Sequence, residues 1–242
     1  MNQWERKTVL VMGAAGGIGS IIVRMLESYY RILAVDKDPR VFDLAQDENI
    51  HVLQLDLQKL DDRQSLKDVL DTIPGLYGAV IATGIMIPGS VMELSEEDWS
   101  KTIDINVTMV YHLVKLLIPY LVKEKTSHII ALASHLGTVG SYNLAAYSTS
   151  KAAVIELIKC IALDYGDQGV IANCISPGFV KTEMLNCAMR QFATNKKWMF
   201  ASGGLPKQHI DPQDIAGMVS FLLQQTCMNG ENVIIDAGYT VR

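Results

Sequence analysis

Short apolar runs rich in β-branched residues recur along this 242-residue chain, and each is followed by a longer stretch whose apolar residues fall at helical spacing. TVLVM (8–12) leads into IGSIIVRMLESYY (18–30), ILAV (32–35) into VFDLAQ (41–46), and IHVLQL (50–55) into DRQSLKDVLDTI (62–73). YGAVIA (77–82) is followed by a long helical stretch from about Glu96 to Val122, and SHIIALAS (127–134) by one from about Ala145 to Tyr165. VIANCIS (170–176), a helix opening near Asp211 and NVIID (232–236) complete the series. Runs apolar on both faces belong to strands covered on both sides, and parallel neighbours need a crossover long enough to hold a helix. The expected fold is therefore α/β, a single doubly wound parallel sheet of about seven strands flanked by helices.

No linker, repeat or low-complexity tract divides the chain, and 49% hydrophobic against 19% charged residues suits one core, so residues 1–242 read as a single domain. The irregular stretch at about 179–210 mixes Met184, Leu185, Met189, Phe192, Trp198, Met199 and Phe200 with Gly203, Gly204 and Pro206, as a substrate lid would. A net charge of -5 with 21 scattered basic residues gives no footprint for nucleic acid. VTMVYHLVKLLIPYLV is interrupted by His112, Lys115 and Pro119 and is shorter than the ~20 apolar residues a bilayer requires, so no membrane span is expected. The charged N-terminus runs into a glycine turn rather than a cleavage site. Cys160, Cys174, Cys187 and Cys227 show no paired spacing and sit among apolar or helical neighbours, which suggests reduced, buried thiols and a cytoplasmic setting. No His or Cys spacing nominates a metal.

The first strand ends in GAAGGIG, with Gly13, Gly17 and Gly19 entering an amphipathic helix. Glycines there admit a tight turn and close backbone approach, and a helix N-terminus attracts phosphate. Asp36, at the end of the second strand, can accept hydrogen bonds from a ribose diol and would repel a 2′-phosphate, which favours NAD(H); Lys37 and Arg40 leave NADP(H) open. Asp56 and Gly84 follow the third and fourth strands, so the carboxyl edge of the sheet describes a crevice for a dinucleotide.

Two stretches, YHLVK (111–115) and YSTSK (147–151), place a lysine four residues after a tyrosine, on one helix face where an ammonium can favour phenolate. With nine tyrosines, about half such a match arises by chance. Tyr111 sits in an apolar helix with no strand ending just before it, and reads as packing, with Lys115 snorkelling to the surface. Tyr147 opens the helix after SHIIALAS, whose last residue, Ser134, can be brought beside it at the sheet edge.

GAAGGIG, Asp36, Asp56, ATG (82–84), Asn106 in DINV, Ser134, YSTSK, SPGFVKT (176–182) and IIDAGYT resemble, in order and spacing, the short-chain dehydrogenase/reductase family along nearly the whole chain. The resemblance implies a Rossmann-like fold and a catalytic set of Asn106, Ser134, Tyr147 and Lys151. In family terms Tyr147 is the general acid/base, Lys151 lowers its pKa, Ser134 holds the substrate oxygen and Asn106 positions a water leading to Lys151. It extends the cofactor set to Ile18, Leu57, Ala82, Tyr147, Lys151, Pro177, Gly178, Val180 and Thr182, and puts Ser134, Leu136, Phe179 and Leu185 beside the substrate. Met12 and Ala82-Thr83-Gly84 depart from the usual Thr and Asn-Ala-Gly.

The expected activity is NAD(H)-dependent interconversion of a secondary alcohol and a ketone on a small molecule. Alternatives are a 3-oxoacyl-thioester (carrier protein or CoA) reductase, using Arg190, Lys196, Lys197 and Lys207, a cyclic dihydrodiol dehydrogenase, and a non-catalytic NAD(H) sensor. The resemblance also implies a homotetramer, with a dimer as the second choice.

Overall fold

A computed structural model describes residues 6–192 and 209–241. Seven strands, β1 (Thr8–Met12), β2 (Arg31–Asp36), β3 (Ile50–Gln54), β4 (Gly78–Ile81), β5 (Ser127–Leu132), β6 (Val170–Pro177) and β7 (Asn232–Ile235), form one sheet. Every pairing is parallel and the order is β3-β2-β1-β4-β5-β6-β7. Successive strands step outward from β1 to β3, then the chain crosses back to lay β4 on the other side of β1. Crossovers on the two sides of this reversal diverge, which opens a crevice beyond the carboxyl ends of β1 and β4.

Alternation along each strand supplies two cores. Leu10, Met12, Leu33 and Val35 face one side of the sheet, where Leu66 and Leu70 of α2 (Leu60–Leu70), Leu113 and Leu117 of α4 (Met109–Leu121) and Val154 and Ile158 of α5 (Ala145–Tyr165) cover them. Val9, Val11, Ile32 and Ala34 face the other, under Ile22 and Leu26 of α1 (Gly19–Leu26) and Ile215, Val219 and Leu222 of α7 (Pro212–Leu222). The result is the Rossmann-like arrangement the sequence pattern implies.

Local chemistry sets several boundaries. Asp211 caps α7 through a reciprocal capping box with Asp214, and Pro212 occupies its first turn. VFDLAQ forms no α-helix: Asp38 accepts from the Arg40 N–H and Pro39 opens a tight 3₁₀ turn, Pro39–Leu44. The stretch expected as one helix over 96–122 is two, α3 (Glu96–Ile103) and α4, joined by a π-helical turn at Asp104–Thr108.

Two expectations are corrected. Tyr111 is 46% exposed rather than packed: Val110, Leu113, Val114, Leu117 and Leu121 take the buried stripe of α4, which turns Tyr111 and Lys115 outward. Lys115 Nζ lies 5.8 Å from the Tyr111 ring centroid, and both residues are exposed. Of the four cysteines, all free, only Cys174 is buried. Among the described residues no helix is long and apolar enough to cross a membrane, and no His/Cys/Asp/Glu cluster is arranged to hold a metal.

Candidate active site

Ser134 lies two residues beyond β5, where extended backbone lets its Oγ accept from the Leu136 N–H at 3.2 Å and start the turn His135–Gly137. That turn lies directly on α5. A Cβ on Gly137 would come within 2.8 Å of the Lys151 carbonyl carbon and 2.9 Å of the Ala152 nitrogen, so close approach there requires glycine. The sequence reading missed Gly137; a glycine three residues past the strand-end serine was its only trace.

Tyr147 and Lys151 stand one helical turn apart on α5, both buried. Lys151 Nζ donates to the Leu132 carbonyl at 2.9 Å and sits 5.8 Å from the Tyr147 ring centroid. Burial pushes the Lys151 ammonium down to about 8 and raises the Tyr147 phenol above its ordinary value. The opposing pull on Tyr147 comes from the neighbouring Ser134 hydroxyl, not from the lysine charge that the four-residue spacing suggests. In this cleft the phenol is held protonated.

Asn106 sits in the π-helical turn and is 1% exposed. Its Oδ1 accepts from the Ile85 N–H at 2.8 Å, and its Nδ2 donates to the Ile85 carbonyl and to Ser150 Oγ, each at 2.9 Å. Ser150 Oγ in turn donates to the Tyr147 carbonyl at 2.7 Å. Asn106 therefore ties the exit of β4 to the Tyr147 helix. Both its amide hydrogens are engaged, which leaves an Oδ1 lone pair or the main chain for the water ascribed to it. Ser150, the middle of this chain of bonds, was not foreseen. Gly84 passes just above: a Cβ there would lie 3.1 Å from Lys151 Nζ and 3.2 Å from Asn106 Oδ1.

At the opposite end Gly13 takes a left-handed φ of +84°, and a Cβ on it would come 2.8 Å from the Ala82 carbonyl carbon. A Cβ on Gly19 would overlap the Gly13 carbonyl, and one on Gly17 would meet the Thr182 methyl at 3.1 Å. The N–H groups of Gly17 and Ile18 find no acceptor among the described residues, and they open α1. This Cβ-free cradle with free amides at a helix N-terminus fits a dinucleotide's pyrophosphate. Asp36 accepts from the Ala15 N–H at 2.9 Å and the Asp38 N–H at 3.0 Å, so its carboxylate is held at the loop. The capping role falls instead to Asp38, whose carboxylate also grips Arg40 at 2.6 Å and is held down to about 2 by that guanidinium.

Asp56 accepts from the Gln58 N–H at 3.2 Å. Leu57 is 1% exposed in the core, so only its main chain is available to a ligand. Gly178 donates to the Ile235 carbonyl at 2.8 Å, and Val180 bridges Ile210.

Ile18, Ala82, Gly84, Pro177, Gly178, Val180 and Thr182 share one cleft with Ser134, Tyr147 and Lys151. The cleft is open to solvent, and its space, that solvent included, is about 830 Å³. Leu136, Phe179 and Leu185 line it as expected, joined by Met86, Leu144 and Met184. Of the irregular stretch, α6 (Glu183–Phe192) is described; Trp198, Met199, Phe200, Gly203, Gly204, Pro206, Lys196, Lys197 and Lys207, and the side chains of Met189 and Phe192, lie outside the described residues.

Residues 13–240 match the model of the family described as enoyl-(acyl carrier protein) reductase. The chain is 32% identical over 188 residues to dehydrogenase/reductase SDR family member 6 of Xenopus laevis, covering 76% of each protein. It is 27% identical over 256 residues to 2,3-dihydro-2,3-dihydroxybenzoate dehydrogenase of Bacillus subtilis (strain 168), covering 98% of this chain and 97% of that one. Among solved structures, a 4-hydroxyisoleucine dehydrogenase mutant complexed with NADH and succinate superposes with a TM-score of 0.85 at 28% identity, covering 98% of this chain and 99% of the other. Matched by that family model over residues 13–240 and 32% identical to a relative across three quarters of its length, the chain belongs to the short-chain dehydrogenase/reductase family of NAD(P)-dependent oxidoreductases.

Proposed function

We propose that the chain interconverts a secondary alcohol and a ketone with NAD(H), through Asn106, Ser134, Tyr147 and Lys151. The observation that supports this most is the gathering of Ser134, Tyr147 and Lys151 in one cleft with Ile18, Gly84, Gly178 and Thr182, beside the glycine cradle. When bound, the nicotinamide supplies or takes the hydride at the substrate carbon. Tyr147 gives its proton to the carbonyl oxygen in reduction and takes the hydroxyl proton in oxidation, while Ser134 orients that oxygen. Lys151, whose Nζ donates to the Leu132 carbonyl, lies beside Tyr147 in the same cleft, and Asn106 fixes the helix that carries both. The chain acts as one catalytic domain.

NAD(H) is the favoured cofactor. The Asp36 carboxylate, held at the end of β2, would accept from a ribose diol and repel a 2′-phosphate, and Arg40, the nearby guanidinium, is engaged by Asp38. The apolar lining suits a ring or alkyl chain, in line with the dihydrodiol dehydrogenase relative. The family description favours a second reading, an acyl-thioester reductase. Arg190, its one described basic candidate, is paired with Glu183 at 2.8 Å. A non-catalytic sensor would have no use for the buried Ser134–Tyr147–Lys151 set. Free cysteines agree with a cytoplasmic setting.

Tyr147→Phe should abolish turnover of a ketone panel while NADH binding, followed by nicotinamide fluorescence, persists within a few-fold. Tyr111→Phe should leave turnover intact. Full activity in Tyr147→Phe would remove the proposed acid/base.

A further inference from the structure

His135, directly after Ser134, lies in the wall of the same cleft and is 2% exposed. Its Nδ1 is 2.9 Å from the Pro177 carbonyl. A carbonyl can only accept, so Nδ1 carries the ring proton and Nε2 presents a bare lone pair. That Nε2 is buried and has no hydrogen-bond partner. Among the described residues lining the cleft, it is the one buried side-chain polar atom in this condition.

The ring is held in place on three sides. Phe179 meets it edge-on with centroids 5.3 Å apart, Tyr239 of the C-terminal turn at 4.8 Å, and the Pro177 bond fixes its rotation. Asp236, which attracts the imidazole, is itself engaged by the Gly238 and Thr240 N–H groups and the Thr240 hydroxyl. Burial keeps the imidazole below its usual 6.5, hence neutral and able to accept at physiological pH. A buried acceptor left bare is costly, and a wall that is otherwise apolar here (Leu136, Phe179, Leu185) offers it nothing. A ligand bearing a donor would satisfy it.

Resting on the oxidoreductase reading above, we propose that His135 determines specificity: its Nε2 accepts a hydrogen bond from a second hydroxyl of the substrate, adjacent to the carbon that Tyr147 and Ser134 serve. The substrate class is then the hydroxyketone/vicinal-diol pair rather than a simple ketone or an acyl thioester. Ser134 and His135 are consecutive residues lining one cleft, so a single small substrate can present an oxygen to each. Sites built around a substrate hydroxyl discriminate strongly against the analogue that lacks it, because the protein partner is then left unpaired.

The test measures kcat/KM for 2-hydroxycyclohexanone and cyclohexanone with NADH and with NADPH, in the wild type, His135→Phe and His135→Gln. The hydroxyketone is intrinsically more electrophilic, but that advantage is common to all three enzymes and cancels between them. In the wild type the hydroxyketone should be preferred, and in His135→Phe the ratio of the two kcat/KM values should fall at least about tenfold, mostly through KM. His135→Gln, which retains an acceptor, should recover part of the ratio. An unchanged ratio in His135→Phe, or an equal loss on both substrates, overturns the inference and leaves His135 as wall packing. Absence of turnover on both ketones with both nucleotides overturns the oxidoreductase reading itself.

Discussion

Gly137 holds Ser134 against the Tyr147 helix because it lacks a methyl group where backbone atoms of Lys151 and Ala152 approach to 2.8 and 2.9 Å. Gly137→Ala should push the turn off α5 and lower kcat/KM by about tenfold or more, since ångström-scale misplacement of a reacting group costs rate steeply. NADH affinity, read by fluorescence titration, should stay within a few-fold; an unchanged kcat/KM would mean the turn can yield without moving Ser134. At the ribose end, Asp36→Ala should narrow the gap between NADH and NADPH affinity. Adding Asp38→Ala, which frees Arg40 from its 2.6 Å ion pair, should narrow it further. An unchanged preference in both would locate the ribose elsewhere. The contrast in legibility is physical. Tyr147 and Lys151 were readable because four-residue spacing fixes a shared helix face, and Asp36 because it ends a recognisable strand. Gly137 and Ser150 matter through residues brought near by the fold, Lys151 and Ala152 for one and Asn106 for the other, so the local sequence marks them weakly or not at all.

Whole strands were readable for a related reason: β1, β2 and β5 are buried on both faces, and such burial leaves an uninterrupted apolar run. The π-helical turn at Asp104–Thr108 was not, because one extra residue per turn changes register without changing composition. Yet that turn carries Asn106. The strands' amino-terminal edge, remote from the cleft, has its own chemistry. Tyr77 donates to the Leu223 carbonyl at 2.7 Å, stacks on Tyr30, and meets the His128 ring edge-on at 5.1 Å, while Lys7 covers its face at 3.8 Å. Burial, aided by Lys7, pushes His128 down to about 4 from its ordinary 6.5, and its Nδ1 has no partner. The unfolded chain takes up this proton near 6.5, the folded one only near 4. Its contribution to stability is thus complete above about 6.5, is lost as pH falls toward 4, and changes no further below that. Urea unfolding should show His128→Phe losing on the order of 2 kcal/mol less stability than the wild type between pH 7 and 4.5. Equal losses would show that the ring is charged, or hydrated, in the folded state.

Across the whole molecule these edges divide the work: the carboxyl edge holds every proposed catalytic and cofactor group, and the amino edge is closed by aromatic packing. The flanks are different. Leu163 on α5 is 83% exposed, and Tyr111 on α4 and Ile234 on the edge strand β7 are also open to solvent. A terminal parallel strand and two helices presenting apolar side chains are surfaces that a single chain leaves uncovered. We propose that copies of this chain cover them, as a homotetramer with the dimer as the smaller assembly. Light scattering coupled to size exclusion should then give four times the 26.7 kDa chain mass. Leu163→Glu, which places a charge on the α5 face at a position far from the cleft, should shift the population toward smaller species. A wild-type protein that stays at one chain mass at micromolar concentration would show that these residues are ordinary surface, and that the site is complete in a monomer.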